Sequence, residues 1–322
     1  MSTTVRSRER ARTAADVLAD ARCVMGTPRR PAARLRSIGL DDAATPGSAA
    51  GIDAALPAAL VFGAAKAAGS SSTGECRAEA AAVGLLCDFS ALHEQPPAAG
   101  GDGPSAEHAA DSHARDMVLT RVVNELVGRP SSTVVARVLA ALSNDPDRAA
   151  QQAAVETAED GTPASAARSA AVLMSCACEM GAIAAHATAA DRATLAGFGH
   201  HIGLGFQLTQ DLLGIWGNPS VTGRPMYGDI ADRVESPPIT VALQADSPVA
   251  RELCELYAGE CNDTSTLHRM ACMIELAGGR SWANRQLDHH LTTARECLSA
   301  LSPSADTEDL ALLTGMIAGR AS

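Results

Sequence analysis

Between residues 191 and 216 the apolar side chains recur with the period of an α-helix. Projected at 100° per residue, Leu195, Phe198, Ile202, Phe206 and Leu213 fall on one stripe. A second stripe carries His200, Gly203, Gln207, Asp211 and Gly214. A surface helix would place charged residues there. Small and hydrogen-bonding residues predict the wall of an internal cavity, or else a buried helix whose glycines allow close packing.

Elsewhere apolar segments are separated by turn-forming residues. Breaks are predicted at Gly26-Thr27-Pro28, from Ala44 to Gly51, from Gly69 to Gly74, and from Pro96 to Ser105. Further breaks fall at Asn144-Asp145-Pro146, Asp160-Gly161-Thr162-Pro163, Asn218-Pro219 and Pro237-Pro238. The segments between them have helical length, and none alternates as a half-buried strand does. No repeat of solenoid period is present. The pattern predicts an all-α protein built as a single large helical bundle.

Composition supports helix and narrows the partners. Aromatic residues are 2% of the 322, too few for a strand-rich core. Lys66 is the one lysine, so arginine carries nearly all of the positive charge. The net charge of −11 is uneven: residues 1–36 hold nine arginines against Glu9, Asp16 and Asp20. The chain therefore divides into a basic N-terminal arm or peripheral helix, residues 1–36, and an acidic helical body, residues 37–322. An acidic body repels nucleic acid and anionic membrane surfaces. The apolar run from Ala54 to Ala65 is too short to span a bilayer. The arginine-rich start lacks the apolar core of a secretory signal. Nine cysteines form no zinc-type CxxC pair, and a chain of this size needs no disulfides, so reduced thiols in the cytoplasm are expected. His200-His201 and His289-His290 are adjacent pairs whose members point about 100° apart, which suits surface or core histidines better than metal ligands.

Four stretches, in order, carry a resemblance. Leu85 to Gln95 reads LLCDFSALHEQ, Arg168-Ser169 opens RSAAVLMSCACEMGAIAA, Gly197 to Leu243 begins GFGHHIGLGFQLTQDLLGIWG, and Ile274 to Asp288 reads IELAGGRSWANRQLD. Together they resemble trans-isoprenyl diphosphate synthases, the polyprenyl synthetase family, in its actinobacterial form. The resemblance implies an isoprenoid synthase-like bundle around a central cavity. It also implies Mg²⁺-dependent ionisation of an allylic diphosphate and attack by isopentenyl diphosphate. Magnesium requires hard oxygen ligands, which the family supplies from two aspartate-rich motifs.

Measured against that resemblance, the charged positions are depleted. In the first motif Glu94 is the candidate metal ligand, because Gln95 lacks charge, Ala98 lacks an oxygen, and Pro96-Pro97 end the helix. In the second, Gln210-Asp211 replaces a pair of aspartates and leaves Asp211 as the other candidate ligand. Arg168, Ser169, Gln207 and Arg224 match substrate-binding positions, and Asp229 matches an acidic one. Glu235 stands where the family has a lysine, and Asp53 and Leu56 stand where its isopentenyl diphosphate site has lysine and arginine. The expectation is a non-canonical or catalytically impaired homologue acting as a partner or regulatory subunit. It would work as a homodimer or as a heterodimer with an active synthase, and a prenyl diphosphate is a possible ligand. The alternative is a repurposed enzyme, either a class I terpene cyclase or a short-chain prenyltransferase, with Mg²⁺ as cofactor.

Overall fold

The computed structural model describes residues 12–25, 49–93, 119–142, 165–259 and 263–320. Among these residues the fold is all-α, with no strand. The helices are α1 (Ala14–Met25), α2 (Ala49–Ala67), α3 (Arg77–His93), α4 (Ser132–Leu142), α5 (Ser165–Ala184), α6 (Ala189–Trp216), α7 (Pro219–Thr222), α8 (Gly228–Ala231), α9 (Pro237–Gln244), α10 (Pro248–Ala258), α11 (Thr264–Leu276), α12 (Gly279–Ala300) and α13 (Glu308–Arg320). Residues 119–126 are helical as well.

Local chemistry sets the helix ends. The Thr188 hydroxyl accepts from the Asp191 amide and caps α6, while Asp191 places negative charge in its first turn. Asn218 caps α7, with Pro219 at a position where a missing N–H costs nothing. The Asp263 carboxylate accepts from the Ser265 and Thr266 amides to start α11. Gly278, at φ +92°, takes the left-handed conformation that joins α11 to α12. Two boundaries differ from the sequence pattern. Pro237-Pro238 opens a helix instead of interrupting one, because proline fits the first helical turn. Helix α2 begins at Ala49, inside the expected loop from Ala44 to Gly51. The breaks predicted at 96–105, 144–146 and 160–163 lie outside the described residues.

Helix α6 runs through the middle of the molecule, with α5 on one side and α12 on another. Leu195, Phe198, Ile202 and Ile215 are buried along it, whereas Phe206 and Leu213 are half-buried. On the second stripe Gly203, Asp211 and Gly214 are buried while His200 and Gln207 are half-buried, and close packing is the reason at the glycines. A Cβ on Gly203 would come within 2.6 Å of the Ala171 Cα, and one on Gly199 would overlap the Met174 carbonyl. Both glycines therefore seat α6 directly on the backbone of α5, so Gly203 is a helix-packing residue and not part of a cavity wall. Gly181 repeats the arrangement one layer further out, against the Val61 carbonyl of α2. A second apolar cluster of Ile215, Ile230, Ile239, Leu253, Met270 and Ile274 joins the end of α6 to α8 through α11.

Helix α1 buries Val17, Leu18 and Ala21 in the main core. Arg12 Nε lies 2.7 Å from Asp309 Oδ1, and Lys66 Nζ lies 3.1 Å from Asp306 and 3.4 Å from Asp309. Residues 1–11 and 26–36 lie outside the described residues.

One buried carboxylate fixes the first turn of α3. Glu79 is 2% exposed and receives Arg129 at 3.0 and 3.1 Å and the Ser131 hydroxyl at 3.0 Å. Removing the guanidinium strands the charge, and breaking such a pair costs a few kcal/mol. Because Arg129 is partly exposed, Arg129→Ala should lower the unfolding free energy by about 2 kcal/mol. Chemical denaturation measures this, and adding Glu79→Gln to the same chain should recover part of the loss.

Candidate functional site

The residues singled out in the Gly197–Leu243 stretch come together at the C-terminal half of α6 and the short helices after it. Gln207 and Asp211 are one turn apart on α6, and Gln207 Nε2 donates to Asp211 Oδ1 at 2.9 Å. Asp211 is 5% exposed. Its second oxygen, Oδ2, is closed off from solvent and accepts no hydrogen bond. Burial raises the carboxyl to about 7; the Gln207 bond opposes that rise and the neighbouring charge of Asp229 adds to it.

Asp229 arrives from α8. Its carboxylate occupies the space where a side chain on Gly214 would stand, one turn beyond Asp211 on the same face of α6. Glycine at 214 is what lets this second acid approach the helix. Burial raises the Asp229 carboxyl, Arg224 lowers it and Asp232 raises it. The turn that delivers Asp229 holds Tyr227 in the left-handed region, at φ +62°. The Tyr227 hydroxyl is 2.8 Å from His268 Nδ1 on α11, a contact that anchors the turn. Arg224 is exposed at the rim and donates to the Gln210 side chain at 3.5 Å.

The remaining sequence-predicted residues are placed less completely. Ser169 lies half-buried near the start of α5, at the level where Ala170 meets Gly203. That is one turn of α6 from Gln207. Arg168 belongs to the same helix, but its side chain lies outside the described residues. Glu94 and the loop beyond it also lie outside them. Glu235 is exposed on the approach to α9.

A magnesium cluster makes specific demands, and the described residues do not meet them. Among them no group of three or more His, Cys, Asp or Glu side chains converges as a metal site. Asp211 offers one oxygen to an amide N–H and has the other sealed from any ion. The set fits a buried acid locked to Gln207 better than a magnesium ligand.

A different constellation escaped the sequence pattern. The two histidine pairs, on α6 and α12, meet across the helix interface. His201 Nδ1 and His290 Nδ1 are 3.1 Å apart. The His200 and His201 ring centroids are 5.4 Å apart, and those of His289 and His290 are 5.3 Å apart. Burial, reinforced by the other imidazoles, lowers His201 and His290 to about 4, so both are neutral at physiological pH. Their positions are 89 residues apart, and no local pattern links them. Cys176 and Cys178 are buried thiols outside any disulfide. No described helix is long and apolar enough to cross a membrane.

Comparison with known proteins places this geometry. Residues 148–274 match the polyprenyl synthetase family model. A geranylgeranyl diphosphate synthase of Mycobacterium tuberculosis is 38% identical over 151 residues, 47% of this chain and 42% of the relative. A (2E,6E)-farnesyl diphosphate synthase of Mycobacterium bovis is 36% identical over 149 residues, 44% of this chain and 42% of its own length. The chain thus spans less than half the length of these curated relatives. The fold extends further. A polyprenyl synthetase from Streptomyces coelicolor A3(2) superposes with a TM-score of 0.69 at 23% identity, covering 94% of this chain and 98% of that one. A geranylgeranyl pyrophosphate synthase from Corynebacterium glutamicum, solved with calcium and isoprenyl diphosphate, gives 0.68 at 19% identity over 96% of each chain. Residues 148–274 thus match the polyprenyl synthetase family in sequence, and the chain shares the all-α fold of solved polyprenyl synthetases.

Proposed function

We propose that this chain is a polyprenyl synthetase homologue impaired in magnesium-dependent diphosphate ionisation, acting in the cytoplasm as a partner or regulatory subunit. It would pair with itself or with an active synthase. The observation that carries the reading is Asp211: the acid left in the second motif is buried, held by Gln207, and closed to an ion at Oδ2. Around it, Gln210 and Gly214 offer no carboxylate, and Asp229 fills the notch above Gly214 instead of facing open space. A diphosphate leaves carbon only when its charge is neutralised, and among the described residues no set of carboxylates gathers to hold the ions that would do so. The partner role is supported by Val123 and Val127, one turn apart and exposed, which offer apolar surface next to an intact helical scaffold.

A second reading, a repurposed class I terpene cyclase or short-chain prenyltransferase, draws on Arg224. Its guanidinium stands at the rim beside Gln210, where it could still meet a diphosphate oxygen. Glu235, Asp53 and Leu56 would not matter to a cyclase, which uses no isopentenyl diphosphate.

Product analysis separates the two. Purified chain incubated with geranyl, farnesyl and geranylgeranyl diphosphates, with and without isopentenyl diphosphate and Mg²⁺, should give no product above the chelated control. A prenyl or cyclised product that requires Mg²⁺ would establish the enzyme reading. Co-purification of an intact synthase with the chain would support the subunit reading.

A further inference from the structure

The outer face of α11 carries three reactive groups that the prenyl-diphosphate reading does not use. His268 and Cys272 stand one turn apart on this helix, and both are exposed. Cys272 Sγ lies 3.7 Å from His268 Nε2. The other ring nitrogen, Nδ1, lies 2.8 Å from the Tyr227 hydroxyl, which arrives from a segment 41 residues earlier. The backbone of Tyr227 sits in the left-handed region, at φ +62°, a conformation that persists only where the surroundings hold it. Thiol, imidazole and phenol therefore stand in line, with the imidazole held between the other two. Leu276, one turn further along α11, is 74% exposed, so this side of the helix is open to solvent. Cys254 is also exposed, but its thiol donates to the Leu243 carbonyl at 3.5 Å and so meets no base there.

We infer that Cys272 is a nucleophilic thiol that exchanges with low-molecular-weight disulfides, with His268 as its base and Tyr227 positioning the imidazole. A thiol attacks as thiolate, and a base within reach, itself oriented by a third group, is the arrangement that generates one. For Nε2 to accept the proton, Nδ1–H must donate to the Tyr227 oxygen, which fixes the tautomer. The S–H proton of Cys272 passes to Nε2 as the sulfur attacks one sulfur of RS–SR. The reagent's S–S bond breaks while the Cys272–S–S–R bond forms. The departing RS⁻ takes the proton from the imidazolium and leaves as RSH. The Cys272 sulfur is oxidised and the leaving sulfur is reduced, so no further oxidant is needed. A second thiol reverses the step, and in a reducing compartment such a bond is transient, as a reversible modification requires. The site stands apart from Asp211 and works without magnesium.

The test exposes the reduced full chain to excess glutathione disulfide, quenches at intervals and follows each cysteine by peptide mass spectrometry. Cys272 should form the mixed disulfide roughly tenfold faster than Cys254. In concentrated urea that difference should vanish, since it depends on the fold and not on neighbouring sequence. His268→Gln removes the base at an exposed position and should slow Cys272 roughly tenfold while leaving Cys254 unchanged. Plotted against pH, the parent rate at Cys272 should inflect where imidazoles titrate, and His268→Gln should abolish the inflection. Tyr227→Phe should slow Cys272 a few-fold and move the inflection to lower pH, because the imidazolium loses its acceptor. Equal rates at Cys272 and Cys254 in the folded parent chain would overturn the inference. A Cys272 rate and pH profile unchanged by His268→Gln would do the same.

Discussion

At pH 8, Asp211→Asn should raise the free energy of unfolding by about 4 kcal/mol, and near pH 4 most of the gain should vanish. Each pKa unit of difference between folded and unfolded states is worth about 1.4 kcal/mol. Asp211 moves from an ordinary carboxyl value of 3.8 when unfolded to about 7 when folded. Between those values the folded state binds more protons than the unfolded one, so stability falls as pH rises through the window. Below pH 4 both states are protonated and burial of this group carries no charge penalty; above pH 7 the penalty is complete. Asparagine keeps an oxygen for the Gln207 amide and removes the charge, so the variant should escape the decline. Urea denaturation of both chains at pH 4.5, 6 and 8 checks the trend. A functional magnesium ligand would behave differently, trading lost activity for any gain in stability.

Gly199→Ala should destabilise the protein by about 3 kcal/mol, lowering its melting midpoint by roughly 4–5 °C. The added methyl would overlap the Met174 carbonyl and press within 2.9 Å of Cys178 Sγ. A side-chain end can swing away from such a clash, but a backbone oxygen inside α5 cannot without moving the helix. Gly84→Ala is the control, since nothing lies within 4 Å of that position. Alanine in the middle of α3 should be neutral or stabilising by up to about 1 kcal/mol. Thermal melting of the two variants beside the parent chain settles the comparison.

What the sequence revealed follows from how local each feature is. The period of α6, its start at Thr188 and its stop before Asn218-Pro219 depend on neighbours within a turn or two, and they were readable. Apolar segments of helical length, none alternating as a strand does, supplied the all-α architecture. The role of Gly203 was not readable, because a glycine against a cavity and a glycine against a backbone carbonyl leave the same pattern; the carbonyl belongs to α5. The seat of Asp229 above Gly214 depends on a turn with Tyr227 in a left-handed conformation, which composition does not announce. The meeting of His201 with His290 is a tertiary event with no local signature. Single positions also misled: Pro237-Pro238 reads as a break, yet proline at a helix start is a normal beginning.

The central claim is that the acid surviving in the second motif no longer gathers magnesium around a diphosphate. Calorimetric titration of farnesyl diphosphate into the purified chain, with and without an excess of Mg²⁺, addresses it without requiring turnover. The affinity should be weak and indifferent to magnesium, and Asp211→Ala should leave it unchanged. Micromolar binding that appears with magnesium and disappears with Asp211→Ala would contradict the account.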